Sequence, residues 1–408
     1  MFGDPTPSIR DQNLRIQEVT RGLHLPTHMA FIDSNDILVL EKNNGTVRRV
    51  VNGSVSEQPL LDVNVANKIE RGMLGIALSK HLGNIYVFIY FTESNSKDGG
   101  EPIGNRLYRY ELFNDELVKP KLLLDLPASP GPYHNGGALS IGPDGYVYVS
   151  VGDINGACQE LAHVNSCQTT ETKAQNYLNG SDPDGRAGIL RLTQDGDAVK
   201  NGILGDNGRL SLYYAYGIRN SFGFDFDPLT NNLWDTENGP DYGDEINLVK
   251  PGFNSGWDKV QGIWEPNGTR KSNVPLDRDQ LYDFNGRGQY SKPEFTWLRT
   301  VGVSAIAFVN SDKYGEKYQN DLLVGDTNNG NLYHFNLNEE RTGLILEGNL
   351  SDKVEDKPRE SKKVIFGHNF GEITDIKIGP DGYLYILIYS QQYGKILRIL
   401  PQHTTSMP

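Results

Sequence analysis

The chain is short of sulfur, of positive charge and of long apolar runs. Its 408 residues hold 39 Lys and Arg against 52 Asp and Glu, a formal net charge of −13. An acidic balance of that size argues against a nucleic-acid partner, whose phosphates need clustered cations, and fits a hydrated surface. No apolar run approaches the roughly 20 residues of a membrane span. The most apolar stretch, "YLYILIY" from Tyr383, has the length of a strand. The first residues, "MFGDPTPSIRDQ", hold no apolar signal core, which leaves open a leader already removed. A stalk beyond the closing "PQHTTSMP" is equally open.

Only two cysteines occur, Cys158 and Cys167, in "ACQELAHVNSCQ". A disulfide between them closes a single loop and stabilises by about 2–3 kcal/mol on loop-entropy grounds. Two free thiols are the alternative. Asn-X-Ser/Thr sequons stand at Asn44, Asn52, Asn179, Asn267 and Asn349, most of them beside Gly in turn-like contexts. Glycans there, taken with a disulfide, point to an extracytoplasmic protein: secreted, periplasmic or at the cell surface.

Several chemistries are missing as well. The sequence has no carboxylate pair of glycosidase type, no Gly-x-Ser-x-Gly elbow, no phosphate loop and no Cys/His zinc spacing. The dinucleotide fingerprint is absent too, so a nicotinamide cofactor has no seat.

What is present is a repeat. Helical periodicity is scarce, and a β-rich run, a polar turn and a second β-rich run recur roughly six times. The copies are "DILVLEKNNGTVRRV" from Asp36, "NIYVFIYF…NRLYRYEL" from Asn84 and "GYVYVSVGD…AGILRL" from Gly145. They continue with "NNLWDTENGPDYGDEINLV" from Asn231, "DLLVGDTNNGNLYHFNL" from Asp321 and "GYLYILIYSQQYGKILRIL" from Gly382. "GPDG" turns precede two of them, at Gly142 and Gly379. A strand pair cannot bury both its faces alone, so units of this period stack around a shared core. The expectation is an all-β, six-bladed β-propeller of four-stranded antiparallel blades, a single domain over residues 14–401. Short tails cover 1–13 and 402–408. "LRIQEVTRGL" from Leu14 is expected to complete the last blade and close the ring. The wider spacings around 154–185 and 255–300 read as long rim loops, where function sits on a rigid scaffold. "SDKVEDKPRESKK" from Ser351 reads as a solvated loop.

Three constellations carry candidate chemistry. His134, in "GPYHNGGALSIGPDGYVYVSVGD", lies before an inner strand, with Asp153 at that strand's far end. Local geometry does not force them together. A neighbouring loop folding back would let the carboxylate orient the imidazole as a base; a plain tight loop is the alternative. Arg219 and Asn220, in "YAYGIRNSFGFDFDP", can stabilise developing negative charge and fix a carbonyl, or Arg219 can simply bind backbone carbonyls. In "ENGPDYGDEINLVKPGFNSGW", Asn238, Gly239 and Pro240 form a turn with freely presented carbonyls. Asp241, Asp244 and Glu245 add carboxylates, the oxygen mixture calcium favours. A generic acidic turn is the alternative.

In this order the three constellations resemble the soluble quinoprotein sugar dehydrogenases, the glucose/sorbosone or aldose sugar dehydrogenases that use pyrroloquinoline quinone (PQQ). "RGMLGIAL" from Arg71, "HNGGALSIGPDG" from His134, "GIRNSFGFDFDP" from Gly217 and "GPDYGDEINLV" from Gly239 carry the resemblance, with "KPEFTWLRTVGVSAIAF" from Lys292 as a weaker fifth. The resemblance implies a six-bladed propeller and a sugar substrate. It further implies PQQ with calcium as cofactors, an external electron acceptor, no membrane span, and a monomer or homodimer. It makes His134 the base that takes the anomeric hydroxyl proton, Asp153 its partner, and Arg219 and Asn220 the groups at the reactive quinone carbonyls. Gly239 and Pro240 become backbone ligands of the catalytic calcium. Glu245 and the backbone of Ser255 become a second, structural calcium site, and Glu70 falls near the active site.

The family pattern breaks at three places. It has a Lys near Asn328, and two Arg where this chain has Glu372 and Thr374. All three cations serve the cofactor's carboxylates. At about 1.5–3 kcal/mol per charged hydrogen bond, their loss removes roughly 5–9 kcal/mol of binding. Two function classes follow: a quinone-dependent dehydrogenase oxidising aldoses outside the cytoplasm, and a calcium-containing propeller with lost or altered quinone binding that serves as a ligand-binding or surface module. A calcium-dependent sugar lactonase is a third, for which no converging carboxylate set can be placed.

Overall fold

The two "GPDG" turns fold alike. In the first, Gly145 donates its amide to the Gly142 carbonyl and Gly142 donates to Tyr146. The Asp144 carboxylate accepts from the Tyr146 amide at 3.2 Å and the Tyr148 hydroxyl at 2.8 Å. The second turn repeats this with Gly379, Gly382 and Asp381, whose carboxylate accepts from Tyr383 at 3.1 Å and Tyr385 at 2.9 Å. Each turn thus joins two strands at a fixed register, and the strands stack into sheets.

The computed structural model describes residues 6–155, 170–264, 280–357 and 359–402. Cys158, Cys167 and Asn267 lie outside the described residues. Strands fall into six hydrogen-bonded sheets. One end of each sheet is a strand at the seam with the neighbouring sheets: Pro26–Asp33, Met73–His81, Leu139–Ile141, Ser221–Phe226, Val303–Phe308 and Glu372–Ile378, each packed against its counterpart except that Ser221–Phe226 meets Val147–Val151 on the side of Leu139–Ile141. Each repeat copy quoted above supplies the second and third strands of one sheet. Leu14–Leu23 pairs antiparallel with Gly394–Pro401, from Leu14 opposite Pro401 to Leu23 opposite Gly394, so the start of the chain closes the ring against its end. Ser8–Ile9, in the expected tail, already pairs with Ile365–His368.

The strands lack an apolar/polar alternation because both faces are covered. Val147, Val149 and Val151 pack with Phe88, Tyr90 and Leu107 on one side. Tyr148, between them, packs with Phe224 and Leu233 on the other. Leu384, Ile386 and Ile388 divide from Tyr385 and Leu387 in the same way. Each such side chain contributes about 1.5–3 kcal/mol when fully buried, and the core is spread between sheets rather than gathered in one place.

The expectation of a six-bladed propeller of four-stranded antiparallel blades is corrected: the structure has five such blades, not six. Five sheets carry a continuous four-stranded antiparallel core. The sheet of Pro26–Asp33, Asp36–Glu41 and Thr46–Val51 does not: two two-residue strands, Ser54–Val55 and Leu61–Asp62, both pair with Thr46–Val51 in the fourth place. The turn "VNGSVSEQPL" breaks that edge with Gly53 and Pro59, and proline cannot donate to a ladder. Other sheets are larger than expected. Tyr213–Tyr216 pairs in parallel with Phe253–Asn254, which pairs in parallel with Gln289–Tyr290, so the insertion after residue 250 joins a sheet.

Candidate active site

His134 sits in a loop that only its own sequence allows. His134, Gly136 and Gly137 have φ of 59°, 68° and 126°. A Cβ on Gly136 would lie 2.3 Å from the Ser150 carbonyl oxygen, and one on Gly137 2.8 Å from Leu74 Cβ. The glycines are therefore required, and the loop presses onto the strand Val147–Val151. Asn135 locks it: its side chain donates to the Pro132 carbonyl and accepts from Asn105, and its carbonyl accepts from the Tyr90 hydroxyl at 3.0 Å.

The His134 and Asp153 side chains meet. Nδ1 of the imidazole is 2.6 Å from Asp153 Oδ1, with both side chains buried. The reason is the hairpin: Leu139–Ile141 and Val147–Val151 run antiparallel through a "GPDG" turn, so residues before the first and after the second share one end. The sequence reading, which set Asp153 at the far end of a single strand, is corrected by that return. Asp153 also accepts from Trp257 Nε1 at 2.7 Å and the Asn155 amide at 3.0 Å. Burial pushes its carboxyl up, but His134, Arg219 and the Asn155 amide hold it below the usual carboxylate range. With Nδ1 facing an ionised carboxylate, the ring proton is assigned to Nδ1, and Nε2 keeps its lone pair.

Arg219 and Asn220 reach the same place from the next sheet. The Arg219 carbonyl accepts from the Asp153 amide at 2.9 Å, and its guanidinium lies 5.5 Å from the Trp257 ring. Asn220 Oδ1 accepts from the Gly136 amide at 3.1 Å, while its Nδ2 donates to Glu70 Oε2 at 3.1 Å. Glu70 Oε2 also accepts from the His134 amide at 2.6 Å. Glu70 thus ties the histidine loop to Asn220.

The metal positions are arranged differently from the sequence expectation. The Asn238 and Gly239 carbonyls are not freely presented: each accepts from Arg219 at 2.9 Å. Pro240 is exposed. Glu245 Oε2 accepts from Asn247 at 2.9 Å and from the Ser255 hydroxyl at 3.1 Å; Oε1 accepts from Gln261 at 3.0 Å and from the Gly262 amide. Ser255 Oγ also lies 2.6 Å from Glu237 Oε2, and Glu237 in turn receives the Arg219 amide at 2.7 Å. Asp244 accepts from Gly239, Val301 and Gly302 amides. Burial pushes Glu245 up to about 8 and Asp235 up to about 7, and pushes Glu237, facing both, well above its usual value. Among the described residues, no group of three or more His, Cys, Asp or Glu side chains is placed to hold a metal ion.

Beside this network a cleft of about 220 Å³ opens where the inner strands converge, lined by Thr27, His28, Lys42, Glu70, Glu372 and Tyr389 among others. Gly136 and Thr374 also line it, as does Thr327. Asn328 is exposed beside it, with Nδ2 3.5 Å from the Thr300 carbonyl. Lys42 is buried, and burial pulls its ammonium down to about 8 against the attraction of Glu70.

The pattern of the glucose/sorbosone dehydrogenase family matches residues 23–398. The chain belongs to that family. Curated relatives include an aldose sugar dehydrogenase of Escherichia coli, 26% identical over 386 residues, which span 93% of this chain and 90% of that protein. A quinoprotein glucose dehydrogenase of Acinetobacter calcoaceticus is 33% identical over 277 residues, 65% of this chain and 56% of that one. The fold matches that of a PQQ-bound aldose sugar dehydrogenase of Streptomyces coelicolor, with a TM-score of 0.62 at 22% identity, covering 97% of this chain and 100% of that one.

Within this member of the glucose/sorbosone dehydrogenase family, the structure joins His134, Asp153, Arg219, Asn220 and Glu70, and Glu237 links Arg219 onward to Ser255 and Glu245. Sequence reasoning missed Trp257, Glu237 and Lys42. Trp257 lay within the quoted "GFNSGW", where an indole N–H needing a buried acceptor was the available signal.

Proposed function

We propose that the chain oxidises aldose sugars outside the cytoplasm, with PQQ in the cleft and an external electron acceptor. The observation that carries the reading is the buried His134–Asp153 pair at 2.6 Å. The family and the names of the relatives support the sugar and the quinone. The residues fit such a group at its reactive edge. Arg219 Nε is buried with no hydrogen-bond partner among the described residues, and the Asn220 amide is fixed by Glu70 and Gly136. A donor left unpaired in a buried site calls for an acceptor.

When bound, the quinone supplies an acceptor for a hydride with its electron pair. This chain's residues do the rest. Asp153 holds the imidazole so that Nε2 takes the proton of the anomeric hydroxyl as the C1–H bond breaks and the C=O bond forms, giving a lactone. Asp153 then balances the imidazolium until its proton leaves to water. Arg219 and Asn220 offer donors to an oxygen that gains charge. At the positions expected to hold calcium, the Gly239 carbonyl already accepts from Arg219. No step is assigned to the metal.

Glu372 favours a second reading, a propeller with altered ligand binding. Its carboxyl lines the cleft, where burial pushes its pKa up and a carboxylate ligand would be repelled. Incubation with PQQ and an aldose, read as reduction of an artificial dye, separates the two. Turnover abolished by His134→Ala supports the dehydrogenase. No quinone uptake at micromolar concentration refutes it.

A further inference from the structure

Among the described residues lining the cleft, Lys42 is the one ammonium; the acids beside it are Glu70 and Glu372. The threonine and serine hydroxyls there are already committed. Thr27 donates to the Met73 carbonyl, Thr327 to Gly302, Ser304 to Gly325 or Ile373, and Thr374 to Pro26. Lys42 is different. Its side chain is buried, and the acceptor it reaches is a neutral amide oxygen, Asn43 Oδ1 at 2.8 Å. An ammonium taken out of water gains little from a neutral acceptor.

The backbone holds this residue in place from both sides. Its amide donates to the Leu25 carbonyl at 3.1 Å, and its carbonyl accepts from the Met73 amide at 2.9 Å. Gly72, at φ 139°, leaves room for the side chain: a Cβ there would lie 2.7 Å from Lys42 Cγ and 2.4 Å from the Lys42 carbonyl oxygen. Asn43, the neutral partner, is itself tethered through its carbonyl to Asn67 Nδ2 at 2.9 Å.

We propose that Lys42 is the cation that receives a carboxylate of the cofactor in this chain, in the cleft where Glu372 and Thr374 stand in place of arginines. The inference rests on the dehydrogenase reading and deepens it. Lys42 reaches the cleft from the Asp36–Glu41 strand end, whereas the missing cations belonged to other sheets, so the bound group is held from a different wall.

The test is direct titration of PQQ into the purified chain, followed by quenching of tryptophan fluorescence and by calorimetry, without sugar or dye. Lys42→Gln should weaken binding about 10- to 100-fold, the worth of one charged hydrogen bond. Lys42→Arg should restore most of it, and both variants should keep the wild-type far-ultraviolet dichroism. Lys42→Met serves if the Gln variant does not fold. Equal affinity in wild type and Lys42→Gln overturns this inference and leaves the dehydrogenase standing. No uptake by the wild type overturns both.

Discussion

Replacing Asp153 by Asn tests the catalytic pair with almost no change of shape. Asp153 Oδ1 faces two donors, His134 Nδ1 at 2.6 Å and the Asn155 amide at 3.0 Å, and Oδ2 faces one, Trp257 Nε1 at 2.7 Å. A carboxylate accepts all three. An amide accepts on one side only. If its oxygen faces His134, its NH2 meets the indole N–H, leaving buried donors opposed at a cost of about 1–3 kcal/mol. If its NH2 faces His134, the imidazole must accept at Nδ1 and carry its proton on Nε2, which removes the base. Either way the negative charge that balances the imidazolium is gone. The kcat of the quinone-loaded protein should therefore fall by about 10²- to 10⁴-fold, the range ascribed to general-base catalysis. The sugar KM and the quinone affinity should hold, since Asp153 touches neither.

Stopped-flow reduction with an aldose and its C1-deuterated form reads the chemical step directly. The isotope effect should grow in the variant as that step becomes fully limiting. A kcat within about tenfold of wild type would refute the assignment of His134 as a base oriented by Asp153. The pH dependence of stability gives a second check. The Asp153 pKa is lowered from 3.8 in the folded chain. Its contribution is thus complete above the ordinary carboxylate value and is lost as pH falls through the lower folded value. Melting curves of wild type and Asp153→Asn should converge in strong acid and separate towards neutrality.

Trp257→Phe deletes the donor to Asp153 Oδ2 while leaving an aromatic face beside Arg219. It should cost about 1–3 kcal/mol in urea unfolding and lower kcat less than Asp153→Asn does. Asp235→Asn should stabilise. Burial raises the Asp235 pKa from 3.8 to about 7. As pH climbs between those values the unfolded chain releases a proton that the folded chain keeps, and folding loses stability. The variant should melt above wild type at pH about 8, with the gap closing towards pH about 4. A variant that melts lower at the alkaline end would refute the reasoning and mark Asp235 as an ionised group matched by a cation.

How much of this was legible follows from how far apart the contributing residues lie. The strand pairs were readable because each is local: a turn such as "GPDG" and the apolar runs on either side sit within about twenty residues. The completeness of each sheet was not, because a fourth strand depends on an edge that a single Gly53 or Pro59 can break. The His134–Asp153 contact was half legible. The residues were visible, but their meeting depends on counting two strands rather than one between them. The cleft was the hardest. Its wall takes one to three residues from each sheet, from Thr27 to Tyr389, so no spacing links them. Sequence comparison can register a cation deleted at 372 or 374, because a known pattern has one there. It has no means of registering one gained from elsewhere. Lys42 ends an apolar strand, "ILVLEK", where a lysine ordinarily marks the exit to solvent. Backbone bonds to Leu25 and Met73, both distant in pattern from that strand end, hold the residue where it lines the cleft. A loss read from sequence at one wall is therefore weak evidence for loss of the ligand, because the same charge can be supplied across the cleft by a residue that local patterning assigns to water.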